Sequence, residues 1–352
     1  MMEHSGIGAE ELQKDLEAYV NPEYLYYPLN QSIVICHCMD GKGKYFRFYR
    51  CEEQIQKQQE ELWKRRMEAA GIYKTDRSCS FFCTEYVGNT LIPYRAEWTE
   101  GMDLGIASER MAQPDEVCKV YERILEYQPV WLRGEVDVVY NLLRFVRDNK
   151  MPSVGSLRYL ELVNGWKFKK EDLDFLKNWK GTVRQVYSFD WCGDFAFEDM
   201  DGGMELLSDA GIWEVCTGNM RCPEGEGELV VNMEQNQPMP VSCLRTGYQG
   251  RIRKNQATGK REIQLECPDW EKESGDVSKM ILTVPVEKIN ETIGNVIWQY
   301  RLETVAGGYR VHLYLRPGYE GWKKEIRTLF LNELRVKRDV SWRFHFHEKY
   351  FE

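Results

Sequence analysis

The chain has 352 residues, a length that suggests about two domains. Fifty-six Asp and Glu against 47 Lys and Arg give a formal net charge of −9, which argues against a broad phosphate-tracking surface for nucleic acid. Hydrophobic residues make up 43% and charged residues 29%, with no long apolar run and no apolar signal core at the start, so neither membrane spanning nor secretion is expected.

The first 30 residues predict a helix, EELQKDLEAYV, and a Pro- and Tyr-rich connector. SIVICHCM (32–39), a turn at Asp40-Gly41, and KYFRFYR (44–50) predict a β-hairpin. A polar amphipathic helix over 52–70 ends at Gly71. Strands and helices then alternate: SCSFFCTEYV, DEVCKVYERILEY, PVWLRG, EVDVVYNLLRFVRDN, SLRYLELVNG, KKEDLDFLKNW and TVRQVYSFD. That alternation implies βαβ units and a largely parallel sheet, whose ligand crevice lies beyond the carboxyl ends of its strands. Asn164-Gly165-Trp166 and Tyr187–Asp190 fall on that face.

From Gly202 to Leu265 the texture changes to short antiparallel strands. After a polar hinge near 271–279, KMILTVPV, EKINETIG, VIWQYRLETVA, YRVHLYLRP, WKKEIRTLFLNELR and DVSWRFHFHEKYF read as β-α-β-β-α-β. The expected fold class is therefore α/β. A large domain (1–275) has a mainly parallel βαβ sheet plus an antiparallel portion, and a small α+β, ferredoxin-like domain (276–352) follows it.

Eleven cysteines, odd in number and without a CxxC pair, argue against a disulfide framework and for a reducing cytoplasm. His345 and His347 alternate on one strand face, as do Cys36 and Cys38, yet no further ligands stand at metal-binding spacing, so no metal is expected. The Cys222–Cys267 region reads the same way. No G-x-S-x-G elbow supports a serine hydrolase.

EGELVVNM followed by LRTGYQGRI (226–252), preceded by GGMELLSDAGIWEV (202–215), resembles the adenylate-forming superfamily in its phenylacetate–CoA ligase-like branch. LELVNGWKFKKEDLDFL is similar to that family's Gly-Gly-Glu-Pro turn and helix, VYSFD to its Tyr-Gly-x-Thr-Glu motif, and SGDVSKMILTVPVEKINETI to its hinge. The likeness runs from about Ser32 to Phe346. It implies nucleotide contacts at Lys42, Gly43, Lys44, Asn164, Gly165, Tyr187, Asp190, Arg245 and Tyr248, and an acyl pocket at Trp166 and Phe189.

The departures fall at charge-bearing positions. CMDGKGKYF stands where the family has a hydroxyl-rich phosphate loop, and Asp40 would repel phosphate there. Trp191 replaces the Mg²⁺-holding glutamate, with Asp190 the only adjacent carboxylate, and Tyr248 replaces the aspartate that accepts from both ribose hydroxyls. The hinge acid falls at Ser278 or Lys279, and the chain ends in RFHFHEKYFE without the Pro-rich loop that carries the family's catalytic lysine. The expectation is a pseudoenzyme with binding, assembly or regulatory work, whose partner is a related intact ligase or a carrier protein rather than nucleic acid or membrane. The alternative is an active carboxylate-activating ligase, and only that alternative calls for ATP with Mg²⁺ and CoA as cofactors. A metal- or thiol-based enzyme in the inherited cleft carries little weight.

Overall fold

A computed structural model describes residues 6–26, 33–42, 44–83, 91–96, 99–106, 114–167, 174–176, 178–218 and 220–266. It also describes 285–286, 288–290, 292–294, 296–305, 308–316, 318–333 and 341–347. The chain divides into two compact units, each assembled from separated segments. The first holds residues 1–76, 130–137 and 156–273; the second holds 77–129, 138–155 and 274–352.

Three short helices open the first unit: α1 (Ala9–Lys14), α2 (Leu16–Tyr19) and α3 (Pro22–Tyr26). The predicted hairpin forms, with β1 (Ile33–Met39) antiparallel to β2 (Tyr45–Cys51). Helix α4 (Glu52–Ala70) follows at once and stops at Gly71, whose φ of 61° is a left-handed conformation that glycine reaches without steric cost. The Gly71 N–H then satisfies carbonyls of the last turn, at Arg66 and Met67.

The next segment belongs to the second unit. Strand β3 (Ser78–Cys83) runs parallel to β5 (Thr99–Ile106), and β4 (Leu91–Ala96) pairs antiparallel with β5. The sequence does not announce this β4–β5 hairpin, because Pro93 lacks the N–H a central strand needs. Pro93 is tolerated because β4 lies last in the strand order, at an edge. Helices α5 (Pro114–Tyr127) and α6 (Val136–Asp148) come before and after β6 (Trp131–Glu135) in the chain, as predicted.

In the first unit β6, β7 (Tyr159–Val163) and β8 (Thr182–Phe189) are parallel and in register, Trp131 beside Tyr159 beside Thr182. Of the helix expected over 169–179, residues 174–176 are helical, 178–179 form a turn and bend, and the rest lie outside the described residues. Beyond β8 the described strands of this unit pair with one another antiparallel, as the change of texture predicts. The strands are β9 (Gly193–Glu198), β10 (Met204–Leu206), β11 (Ile212–Thr217), β12 (Met220–Cys222), β13 (Gly225–Met233), β14 (Val241–Lys254) and β15 (Arg261–Leu265). Ten described strands of this unit follow the order β12-β11-β13-β14-β15-β10-β9-β8-β7-β6. The fold is α/β with a mixed sheet, parallel at one end and antiparallel elsewhere. Its largest core gathers Phe46, Phe48, Phe189, Trp191, Phe195 and Trp213 with the aliphatic faces of β13 and β14.

The second unit ends with β16 (Ile297–Val305), β17 (Gly308–Leu315), α7 (Lys323–Glu333) and β18 (Ser341–His347). Strands β16 and β17 are antiparallel, while β17 and β18 are parallel neighbours. A ferredoxin-like order would set another strand between β17 and β18, so this pairing differs from the expected arrangement: here a β-α-β crossover brings its two strands directly together. The first strand of that expectation, 279–286, and the hinge before it lie almost wholly outside the described residues. Val286, Ile289, Ile297, Leu313, Ile326 and Phe330 form the core beneath this sheet. Among the described residues no helix is long and apolar enough to cross a membrane.

Candidate functional site

Two groups of the predicted site residues come together in the first unit, one around the β1–β2 turn and one in an aromatic cluster. The turn is built by Asp40. Its carboxylate is buried, and Oδ1 accepts hydrogen bonds from the N–H groups of Lys42 at 2.9 Å and Lys44 at 2.7 Å. Burial raises the Asp40 pKa, and these two N–H bonds oppose that rise. A phosphate loop aims such N–H groups at its ligand. In this turn the protein's own carboxylate takes them.

The turn is also anchored backbone to backbone. The Gly41 N–H donates to the Thr246 carbonyl at 2.8 Å. A Cβ on Gly41 would lie 2.3 Å from the Gly247 carbonyl carbon and 2.4 Å from the Tyr248 nitrogen. We expect Gly41→Ala to lower stability by about 1–3 kcal/mol, the usual penalty for overpacking. An unchanged midpoint in urea would mean that the turn does not rest on β14.

The cations at this place already have partners. Lys42 Nζ lies 3.5 Å from Glu228 Oε1, Arg245 Nε donates to Glu228 Oε2 at 3.0 Å, and Lys44 Nζ lies 2.9 Å from Glu10 Oε1. Both lysines are more than half exposed, so these pairs set direction more than stability. Glu228, within the EGELVV landmark, is the residue that sequence reasoning missed. Its role depends on the register of β13 against β14, which places Val230 beside Arg245. Gly43 lies outside the described residues.

The second group is an aromatic cluster with Trp166 at its partly buried edge. Tyr248 stacks on Phe189 at 4.5 Å between ring centres and meets Trp166 edge-on at 5.6 Å. Trp166 in turn meets Tyr187 at 6.5 Å. Phe189 stacks further on Phe195 at 4.7 Å and on Trp191 at 5.5 Å, and Phe195 on Trp213 at 4.5 Å. Tyr187, Phe189, Trp191 and Tyr248 are all buried. Trp191 is thus a core side chain wedged between Phe46, Phe48 and Phe189.

Asn164 adopts φ 58°, a left-handed conformation that asparagine tolerates, and its Oδ1 accepts from the Ser188 N–H at 2.8 Å. That bond fixes the Asn164–Trp166 turn to β8. Asp190 is exposed where β8 ends. Nearby, burial pushes the Cys38 and Cys192 thiols up, while the hydrogen bond with Cys38 pulls Cys36 down. Beside the cluster, a groove of about 180 Å³ runs between Tyr187, Met204, Arg251 and Arg253.

No protein-family profile matches this sequence. No curated protein sequence matches it either. Solved structures do. An open conformation of 2-hydroxyisobutyryl-CoA ligase in complex with 2-HIB-AMP and CoA is similar over 99% of this chain and 80% of that one, at 13% identity and a TM-score of 0.54. The same ligase in its thioesterification state is similar over 96% of this chain and 76% of that one, at 14% identity and a TM-score of 0.56. Its postadenylation state gives 97% and 76%, at 13% identity and a TM-score of 0.52. This chain has the fold of the acyl-CoA ligases and related adenylate-forming enzymes.

Proposed function

We propose that this adenylate-forming fold no longer performs ATP-dependent acyl adenylation and serves as a binding, assembly or regulatory pseudoenzyme. The Asp40 turn carries the reading. Its carboxylate holds the N–H groups of Lys42 and Lys44, and the turn sits directly on the strand whose Tyr248 stands in the ribose-binding position of the landmark. The aromatic packing of Tyr248, Phe189 and Trp166 adds support, since a slot for a flat acid or a base needs an open face. Placement in the phenylacetate–CoA ligase-like branch rests on the sequence landmarks alone. A related intact ligase or a carrier protein is the partner we propose, because the inherited fold already suits such company.

The test is ATP–pyrophosphate exchange across a panel of aryl and acyl acids, with AMP titrated calorimetrically in the presence and absence of Mg²⁺. We expect no exchange and no binding heat. Exchange with one acid, abolished by Lys44→Ala, would establish the active-ligase alternative. In that case ATP would have to displace Asp40 from the turn.

A further inference from the structure

We propose that the outer face of the C-terminal sheet binds one borderline transition-metal ion, such as Zn²⁺, Ni²⁺ or Co²⁺, through His312, His345 and His347. The two histidines of β18 alternate, so both imidazoles share a face, and parallel pairing sets His312 of β17 beside His345. Two histidines one residue apart on a strand, with a third on its neighbour, can supply three nitrogens to one ion from a rigid sheet. Only the strand register reveals His312 as the third member.

The rings are already close. His312 Nδ1 and His347 Nε2 are 2.9 Å apart, with ring centres 5.2 Å apart and planes 14° apart, so the two imidazoles meet end to end and share a proton. His345 stacks on His312 at 5.3 Å, and Tyr314 stacks on His347 at 4.6 Å and steadies it. Among the described residues no three His, Cys, Asp or Glu side chains are gathered at ligand distance round one point, and here the imidazoles hold each other instead. With bonds of about 2.0–2.1 Å, adjacent ligand nitrogens stand about 2.9 Å apart at a right angle and about 3.3 Å apart in a tetrahedron, so the pair at 2.9 Å must separate only slightly to hold one ion.

Binding requires the rings to turn about their side-chain bonds and the shared proton to leave. From a neutral pair that proton passes to the far nitrogen of its own ring; from a protonated pair it goes to solvent. His345 is exposed and His312 buried, so an ion enters from the solvent side. Arg310 and Arg343 face each other across the same two strands and penalise a bare cation. Affinity therefore rests on imidazole donors rather than on charge, which excludes Mg²⁺ and Ca²⁺.

The test titrates tag-free, reduced full-length protein with Co²⁺ and follows the visible d–d bands and the near-ultraviolet thiolate charge-transfer region, with Zn²⁺ competition and Mg²⁺ as control. We expect one ion per chain without a thiolate band, displaced by Zn²⁺ and not by Mg²⁺. His347→Ala and the exposed His345→Gln should each weaken binding by about a hundredfold, the upper end of what even outer-shell losses cost, while Cys36→Ser leaves it unchanged. Circular dichroism verifies that each variant is folded. Absence of binding, a thiolate band, or affinity unmoved in folded His345→Gln would overturn the proposal.

Discussion

Replacing Glu161 by glutamine should cost about 3–5 kcal/mol of stability, the penalty for removing one partner of a buried ion pair. Glu161 is fully buried in the middle of β7. Arg66 donates to it from Nε and Nη2, each at 2.7 Å, while Arg133 reaches it from β6 and bridges on to Asp194. Tyr159 donates a further hydrogen bond at 3.1 Å. The Arg66 guanidinium also lies 4.7 Å from the ring centres of both Trp63 and Trp131. A buried guanidinium (Arg66) and a partly buried one (Arg133) are matched by two carboxylates, and a neutral amide in place of the Glu161 carboxylate would leave one positive charge without its counterpart. Urea unfolding measures the loss; a change below about 1 kcal/mol would show that water reaches the cluster and screens it.

The same carboxylate shapes the acid limb. Burial alone would raise the Glu161 pKa, but Arg66 and Arg133 override it and hold the group at about 2, below its usual 4.5. Because the folded value is depressed, the stabilisation is fully present above pH 4.5 and is lost as pH falls toward 2. The difference corresponds to about 3 kcal/mol at neutral pH. Stability of the wild-type chain should therefore fall through this window, and Glu161→Gln should flatten that part of the profile.

The second large effect is expected for Phe189→Ala. Phe189 touches Tyr248, Phe195, Trp191 and Trp213 within one continuous aromatic core. Truncating a buried phenylalanine costs about 3–5 kcal/mol through lost burial and the cavity left behind. The near-ultraviolet circular dichroism of the cluster should weaken in parallel. A loss below about 1 kcal/mol would mean that this ring borders open space, as the acyl-pocket reading of Trp166 and Phe189 expects.

The local grammar of the sequence was largely readable. The DGKGK turn, the cap at Gly71, the alternation of β6, α6, β7 and β8, and the antiparallel run after Gly202 all follow from periodicity and turn chemistry, which act over a few residues. What stayed hidden depends on register. Glu161 in YLELV looks like an interruption of an apolar strand until parallel pairing sets Arg133 beside it. Glu228 becomes the partner of Lys42 and Arg245 only when β13 lies against β14. Tyr187 and Tyr248 read as nucleotide contacts and Trp166 and Phe189 as an acyl pocket, and that the four rings meet in one cluster is a matter of packing. The β4–β5 hairpin was lost to the Pro93 signal, which marks an edge rather than an interruption.

The contact between Gly41 and Gly247 also constrains which sequences this chain can reach by successive single substitutions. Each glycine faces the backbone of the other's segment, and a Cβ on Gly247 would come within 2.9 Å of the Gly41 nitrogen. A serine or threonine at 41, a step toward a hydroxyl-bearing loop, collides with the Gly247–Tyr248 backbone. A side chain at 247 meets the same wall from the opposite side and must also hold φ 76°. The two positions are epistatically locked: either change alone is penalised, and only a concerted shift of hairpin and strand would admit both. Mutational libraries that vary one position at a time should find glycine alone at both sites, whereas paired libraries with a lengthened turn are where an anion-binding turn would be found.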